Sequence, residues 1–141
     1  MTTADRSRPG VPDFHAPQIN LYSRDLPTAL AFYRALGFAE TFRGTAGDTP
    51  RHVEMRLDGF TLGIATLDAA AQDHGLAIAG DGRGIEIVLW TDDVDAAFAR
   101  VVAGGARSLS RPHDFLDGRL RAAWVADPDG NPIQLVARRA R

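Results

Sequence analysis

The sequence predicts an α+β fold built from two copies of a strand–helix–strand–strand–strand module. Residues 18–37 and 86–105 share one layout, at an offset of 68 residues, which is about half of the 141-residue chain. In each copy an acidic residue comes seven positions after the first polar residue, and a glycine comes twelve positions after the acidic residue. Two such copies indicate a duplicated module whose halves share a cavity.

The first module is predicted to begin with the strand Pro17–Ser23, in which apolar and polar residues alternate. Asp25 provides a helix N-cap, and Gly37 ends the helix after an apolar stripe. A hairpin turn is predicted at Asp58-Gly59, a dipeptide that favours tight β-turns. The three strands expected after the helix are Phe38–Phe42, His52–Leu57 and Phe60–Leu67.

The second module repeats this order. Its first strand is predicted at Ile85–Thr91, and its helix at Val94–Ala103 after an N-cap at Asp92 or Asp93. The three strands expected after that helix are Ala106–Ser110, Leu120–Ala126 and Pro132–Ala137. The predicted organisation is an N-terminal arm (1–15), a first module (16–67), a connector (68–83), a second module (84–137) and a basic tail (138–141).

Composition narrows the possible partners. The chain is 45% apolar and 24% charged with a formal net charge of −2, and no basic stripe favours nucleic acid as a partner. The absence of cysteine removes disulfides and thiolate metal sites. No apolar run is long enough to span a membrane, and the N-terminus lacks the apolar core of a signal peptide. We therefore expect a cytoplasmic protein with no membrane partner.

Three stretches resemble motifs of the vicinal oxygen chelate superfamily: the helix ending FYRALGF (32–38), the helix start DDVDAAF (92–98) and the hairpin DPDGNPIQL (127–135). That superfamily includes glyoxalase I, extradiol dioxygenases, fosfomycin-resistance enzymes and bleomycin-resistance binding proteins. The resemblance is nearest to the bleomycin- and mitomycin-binding resistance proteins. It implies two βαβββ modules whose curled mixed sheets surround a shared trough, the glyoxalase/bleomycin resistance fold, and it implies a homodimer.

Metalloenzymes of that superfamily hold a divalent ion at four inward strand positions, which match Gln18, Gly63, Glu86 and Gln134 in this sequence. Catalytic ions prefer histidine nitrogens and carboxylate oxygens. The matching set offers one carboxylate, two neutral amides and a glycine that has no side-chain ligand atom. We therefore expect no catalytic metal cofactor. The alternative is a weakly held divalent metal ion on Gln18, Glu86 and Gln134.

Glu86 has two open interpretations. In the functional one it is a lone metal ligand, a general base, or the partner of a cationic group on the ligand. In the structural one it is a buried carboxylate that is hydrogen-bonded to Gln18 and Gln134 across the trough. The sequence favours neither of them.

Aromatic side chains are expected to form the walls of the trough. Tyr22 and Trp90 occupy corresponding inward positions in the two modules, and Asn20 and Val88 point to the same face by strand alternation. Two facing rings can stack on a planar ligand. Trp124 is either a further wall residue or part of the core, and the sequence does not decide which.

The histidines are less informative. His52, Glu54 and Arg56 alternate along one predicted strand, so they share one of its faces. We favour the simpler interpretation of this trio, a solvated polar face opposite the apolar residues of the strand. His113 is expected in an exposed loop after the sixth strand, followed by Phe115 in a loop that overhangs the cavity.

The function expected from these residues is metal-independent binding of a small, largely planar organic molecule, such as an antibiotic or toxic metabolite that the protein sequesters. The alternative is an enzyme of the lyase, isomerase or dioxygenase type, with Glu86 as a metal-free base or as a ligand of a weakly held ion. Neither the ligand nor the dimer arrangement follows from the sequence. The expected ligand-binding residues are Gln18, Asn20, Tyr22, Glu86, Val88, Trp90, Trp124 and Gln134.

Overall fold

The computed structural model describes Ala16 and residues 18–74, 85–115 and 117–139. The predicted N-terminal arm and residues 75–83 of the predicted connector therefore lie outside the described residues. Within the described part of the chain, no helix is long and apolar enough to cross a membrane.

The first module has the predicted order of elements. Asp25 caps the helix α1, since its side chain accepts a hydrogen bond from the Thr28 backbone N–H at 3.2 Å. The chain leaves that helix through Gly37, whose φ of +106° lies in the region that favours glycine. The elements are β1 (Ile19–Ser23), α1 (Leu26–Ala35), β2 (Ala39–Ala46), β3 (Thr49–Leu57) and β4 (Phe60–Thr66).

The second module repeats the first. Asp93, one of the two predicted capping residues, is the N-cap of the helix α3 and accepts from the Ala96 backbone N–H at 3.1 Å. A helix that the sequence analysis did not predict, α2, precedes the module. The elements are α2 (Leu67–His74), β5 (Ile87–Trp90), α3 (Val94–Ala103), β6 (Arg107–Phe115), β7 (Leu120–Ala126) and β8 (Pro132–Arg138).

One local feature was not predicted, and one local prediction was wrong. The Ala-rich start of the connector forms the helix α2, which was not predicted. The side chain of Thr66, just before this helix, accepts from the Ala69 backbone N–H at 3.0 Å, and the small side chains of Ala69 and Ala70 are buried. The sixth strand continues through Phe115, across residues predicted as a loop. Pro112 is tolerated there because β6 is an edge strand with an irregular register.

The strands form two separate four-stranded mixed sheets, with the orders β1-β4-β3-β2 and β5-β8-β7-β6. In each sheet the first and last strands of the module are parallel neighbours, and the other pairs are antiparallel. Asn20 pairs with Gly63 in one sheet, and Val88 pairs with Gln134 at the equivalent place in the other. The predicted duplication and α+β fold class are therefore confirmed at the level of strand register.

One hydrophobic core unites the two modules. It joins residues of α1 and the first sheet, such as Tyr33 and Leu62, to residues of the second sheet, such as Ile133 and Leu135. These side chains occupy the helix-facing side of each sheet, since strand residues alternate between the two faces. The opposite face of each sheet is consequently left for polar and exposed aromatic residues.

Candidate functional site

The first sheet has a polar face on the side away from α1. Leu21, Val53 and Met55 point into the core, and at most 5% of each is exposed, so their alternating neighbours in β1 and β3 point to the other side. We call this side the polar face; it carries Gln18, Asn20, Tyr22, Phe42, His52, Glu54 and Gly63.

The polar face holds a connected hydrogen-bond network. The Gln18 side-chain amide donates to Asn20 Oδ1 at 2.9 Å and to Glu54 Oε2 at 3.4 Å. The same Glu54 oxygen lies 3.3 Å from His52 Nε2. The side chains of His52 and Glu54 are 29% and 31% exposed, so the network is open to a ligand while being partly shielded from water.

Gly63 makes room for this network. A Cβ atom on Gly63 would overlap Asn20 Oδ1 and would lie 3.0 Å from His52 Cε1. The glycine is paired with Asn20 in β1 and with Glu54 in β3, so it forms the floor between the two side chains. The space that a side chain at position 63 would fill is therefore occupied by the side-chain oxygen of Asn20.

The second sheet has an aromatic face at the equivalent side. Its rows follow from the register, in which Val88 pairs with Gln134 and Gln134 pairs with Trp124. Trp124 therefore lies on the same face as Gln134 and not on the core side of the sheet. We call this side the aromatic face; it carries Glu86, Val88, Trp90, His113, Phe115, Trp124 and Gln134.

Glu86 and Trp124 are hydrogen-bond partners on this face. The indole N–H of Trp124 donates to Glu86 Oε1 at 3.3 Å, and the ring of His113 stacks on Trp124 with centroids 5.9 Å apart and planes 21° apart. The structural interpretation of Glu86 as the partner of Gln18 and Gln134 is thus not what is observed. Gln18 is instead engaged on the other sheet, and Glu86 is an exposed residue.

Trp90 is the most exposed of the large hydrophobic residues on the aromatic face, at 57%. Its ring lies under the Arg138 guanidinium carbon at 5.0 Å from the centroid, a cation–π contact. Val88, two residues earlier on the same strand, is 44% exposed. These two neighbouring exposed apolar side chains make this part of the aromatic face a candidate binding surface.

Among the described residues, the side-chain hydrogen bonds and ring contacts of the polar face stay within the first sheet, and those of the aromatic face stay within the second sheet. Tyr22, paired with Ala65, is half-buried, whereas Trp90, paired with Val136, is exposed. That these two rings face each other across one trough stays a prediction. An open groove of about 1450 Å³ between α1 and α3 reaches Val88 and Trp90 from the helix side.

The donor set on these faces suits a metal ion poorly. Gln18 directs its amide N–H groups to Asn20 and Glu54, and the oxygen of Asn20 already accepts one of them. Glu86 accepts the indole N–H of Trp124. Within the described residues, no group of three or more His, Cys, Asp or Glu side chains is arranged to hold a metal ion.

Two residues that were not predicted as ligand-binding residues belong to the candidate site. His52 and Glu54 were interpreted as a solvated polar strand face, yet they join Gln18 in one network. Their spacing of two was the available signal. This spacing could not show that Gln18, just before β1, reaches the side chains of β3. The strand between them, β4, carries Gly63 at this point and has no side chain in the way.

Known structures share this fold. A hypothetical protein from S. aureus superposes with a TM-score of 0.74 at 18% identity, over 88% of this chain and 94% of that chain. A glyoxalase-related enzyme from Fulvimarina pelagi has a TM-score of 0.72 at 23% identity, over 89% of each chain. A glyoxalase/bleomycin resistance protein/dioxygenase superfamily member from Sphaerobacter thermophilus has a TM-score of 0.66 at 27% identity, over 88% of this chain and 98% of that chain.

The sequence also matches a family model. The model for the Glyoxalase/Bleomycin resistance protein/Dioxygenase superfamily matches residues 15–135, which include the first module and all of the second except the end of β8. No curated protein matches the chain.

Proposed function

This chain belongs to the glyoxalase/bleomycin resistance protein/dioxygenase superfamily, and from that premise we propose that it binds a small, largely planar organic molecule without a catalytic metal. The aromatic face supplies a flat contact surface, and polar groups beside it orient the ligand. Sequestration of an antibiotic or toxic metabolite is the biological role that fits this activity.

The exposed indole of Trp90 is the observation that carries the proposal. Trp90 is 57% exposed to water. Covering the indole would remove on the order of 100 Å² of apolar surface from water, which corresponds to roughly 2–3 kcal/mol. Stacking adds about 0.5–1.5 kcal/mol beyond that burial. A planar ring is the ligand shape that gains both contributions.

Polar groups on the same face would orient the ligand. Glu86 and Gln134 lie beside the Trp124 indole, and His113 extends the flat surface by stacking on that ring. A few placed hydrogen-bonding groups among apolar walls are typical of small-molecule sites.

Tryptophan fluorescence tests the proposal. Planar heteroaromatic molecules are titrated into the protein, and we expect saturable quenching from at least one of them. Trp90→Ala should weaken that binding by about tenfold or more, since it removes both burial and stacking. Leu109→Ala is the matched control, because Leu109 is a 45% exposed apolar residue on β6, the strand at the far edge of the same sheet. Equal affinities for the two variants would refute the proposal.

The same ligands distinguish a binder from an enzyme that uses Glu86 as its base. In a binder, Glu86→Gln weakens binding less than Trp90→Ala does, and product analysis by mass spectrometry finds the ligand unchanged. Turnover that Glu86→Gln abolishes while the fold is kept would establish the enzyme instead.

We further propose a homodimer that covers the open side of β5. This strand lies at the edge of its sheet, and Ile85 just before it and Val88 within it are 45% and 44% exposed. Exposed apolar edge strands are prone to pairing with another chain. Sedimentation of the wild type should give a dimer, and Ile85→Asp should shift it to the monomer while Leu109→Asp does not. A wild type that sediments as a monomer at all concentrations would disprove this assembly.

A further inference from the structure

The row of residues that crosses the polar face has a distinctive composition. Asn20 pairs with Gly63, Gly63 pairs with Glu54, and Glu54 pairs with Phe42, so the row crosses all four strands. A carboxylate thus lies between a position without a side chain and an aromatic ring. Phe42, which carries that ring, is 53% exposed.

The acceptor atoms of this row outnumber the hydrogen-bond donors that reach them. A carboxylate accepts about four hydrogen bonds and an amide oxygen accepts about two. Within the described residues, Glu54 interacts with one N–H of Gln18 and with the His52 ring, and Asn20 Oδ1 accepts one N–H of Gln18. The row therefore offers more acceptors than its own side chains satisfy, and a ligand with several N–H donors would complete it.

Glu54 also differs from the carboxylate on the neighbouring strand. Glu40 binds two arginines, Arg34 at 2.9 Å and Arg43 at 2.7 Å. The described partners of the Glu54 carboxylate are an amide and an imidazole. At 31% exposure, its charge is less screened than that of a fully exposed residue, so a cation placed there is attracted more strongly.

We propose that Glu54 recognises a planar cationic nitrogen group, of the amidinium or aminated heteroaromatic class, which packs against the exposed ring of Phe42. This inference goes beyond the proposed function, because it places a second recognition site on the polar face of the first sheet, whereas the proposed function rests on the aromatic face of the second sheet. The carboxylate accepts two N–H groups from the cation, and the face of the phenyl ring contributes a cation–π contact. Asn20 Oδ1 is an additional acceptor beside it.

Benzamidine is the probe, and its neutral and anionic relatives benzamide and benzoate are the controls. Binding to the wild type is measured by calorimetry, together with NMR of the His52 ring. We expect saturable binding of benzamidine that perturbs the His52 signals, at least tenfold weaker binding of benzamide, and none of benzoate. Benzoate that binds as tightly as benzamidine, or the absence of saturable benzamidine binding, would overturn the inference without any variant.

Variants locate the site. Glu54→Gln keeps the side-chain shape and removes the charge, so benzamidine affinity should fall about tenfold or more. Glu40→Gln is the matched control, since it removes a carboxylate from the same sheet that is already bound by arginines, and it should leave the affinity unchanged. An unchanged affinity in Glu54→Gln refutes the assignment. Trp90 lies on the other sheet and tests the proposed function separately. If Trp90→Ala weakens the binding of planar molecules but benzamidine does not bind, this inference fails and the proposed function stands.

Discussion

The phenol hydroxyl of Tyr33 donates a 2.7 Å hydrogen bond to Oδ2 of Asp127, which lies 94 residues further along the chain. Both residues are buried, and the bond joins α1 of the first module to the turn between β7 and β8. The same carboxylate accepts the backbone N–H groups of Asp129 and Asn131 at 3.0 and 2.7 Å. Asp127 therefore holds the last hairpin turn in shape and attaches it to the other module.

Tyr33→Phe should destabilise the protein by about 1–3 kcal/mol, because it leaves a buried carboxylate oxygen with one hydrogen-bond donor fewer. Urea unfolding measures the change. Tyr22→Phe is the control, since Tyr22 is the chain's other tyrosine and lies half-buried on the polar face. A loss no larger in Tyr33→Phe than in the control would mean that the bond contributes little.

The same pair predicts the behaviour at alkaline pH. Burial and the nearby Asp127 carboxylate raise the pKa of Tyr33 far above its usual value of 10.0. The hydroxyl then stays protonated in the folded state and ionises only in the unfolded chain. Its contribution to stability is full below about pH 10 and falls by about 1.4 kcal/mol per pH unit above it. Between pH 9 and roughly 11.5, the free energy of unfolding should therefore fall less steeply with pH in Tyr33→Phe than in the wild type. The same pH dependence in both proteins would contradict the raised pKa of Tyr33.

An exposed ion-pair cluster predicts part of the acid response. Arg121 binds both oxygens of Asp95 on α3, at 2.6 and 2.8 Å, and also reaches Asp114 on β6 at 3.0 Å. Hydrogen bonding to Arg121 lowers the pKa of Asp95. A lowered carboxyl pKa stabilises the folded state above the unfolded value near 4, and this contribution is lost as the pH falls through the folded value.

Asp95→Asn should therefore make the stability less dependent on pH below about 4, as followed by thermal unfolding in low salt. Asp92→Asn is the matched control, because it removes a carboxylate just before the same helix without touching Arg121. Equal acid dependence in wild type and Asp95→Asn would exclude this role for the pair.

Gly63 and Asn20 should be energetically coupled. Gly63→Ala forces the Asn20 side chain out of its position and breaks its bond with Gln18, so we expect a loss of roughly 1 kcal/mol. In an Asn20→Ala background the overlap with the amide oxygen is gone, and Gly63→Ala should then cost clearly less. A double-mutant cycle from urea unfolding gives the coupling, and strict additivity would contradict the packing described.

The donor set predicts weak metal retention. Chelator-treated protein would be incubated with nickel, manganese, zinc or ferrous iron, dialysed, and analysed by mass spectrometry. We expect retention near background, because Gly63 provides no ligand and the amides of Gln18 and Gln134 are weak donors for these ions. Near-stoichiometric retention of any of these ions would contradict metal-independent binding and favour the metal-dependent enzyme instead.

The assignment of the candidate residues to one face of each sheet followed from the sequence through strand parity. The matching offsets placed Gln18 and Glu86 at equivalent strand positions, and the observed registers bear out the equivalence of their modules. The partners of these residues did not follow. Glu86 meets Trp124, and Gln18 meets Glu54, because side-chain contacts across a sheet depend on strand order and on which neighbour has a small side chain.

By itself, the sequence determined the duplicated βαβββ order, the Asp25 cap of α1, a cap of α3 at Asp92 or Asp93, and the alternation that separates the core side of each sheet from its other face. These features arise from local propensities and periodicity, which a few consecutive residues encode. Only the tertiary structure decided that α2 forms at the start of the connector, that Trp124 lies on the outer face, and that His52 and Glu54 join Gln18. Each of these depends on contacts between residues distant in the chain, whose geometry is set by strand order and packing.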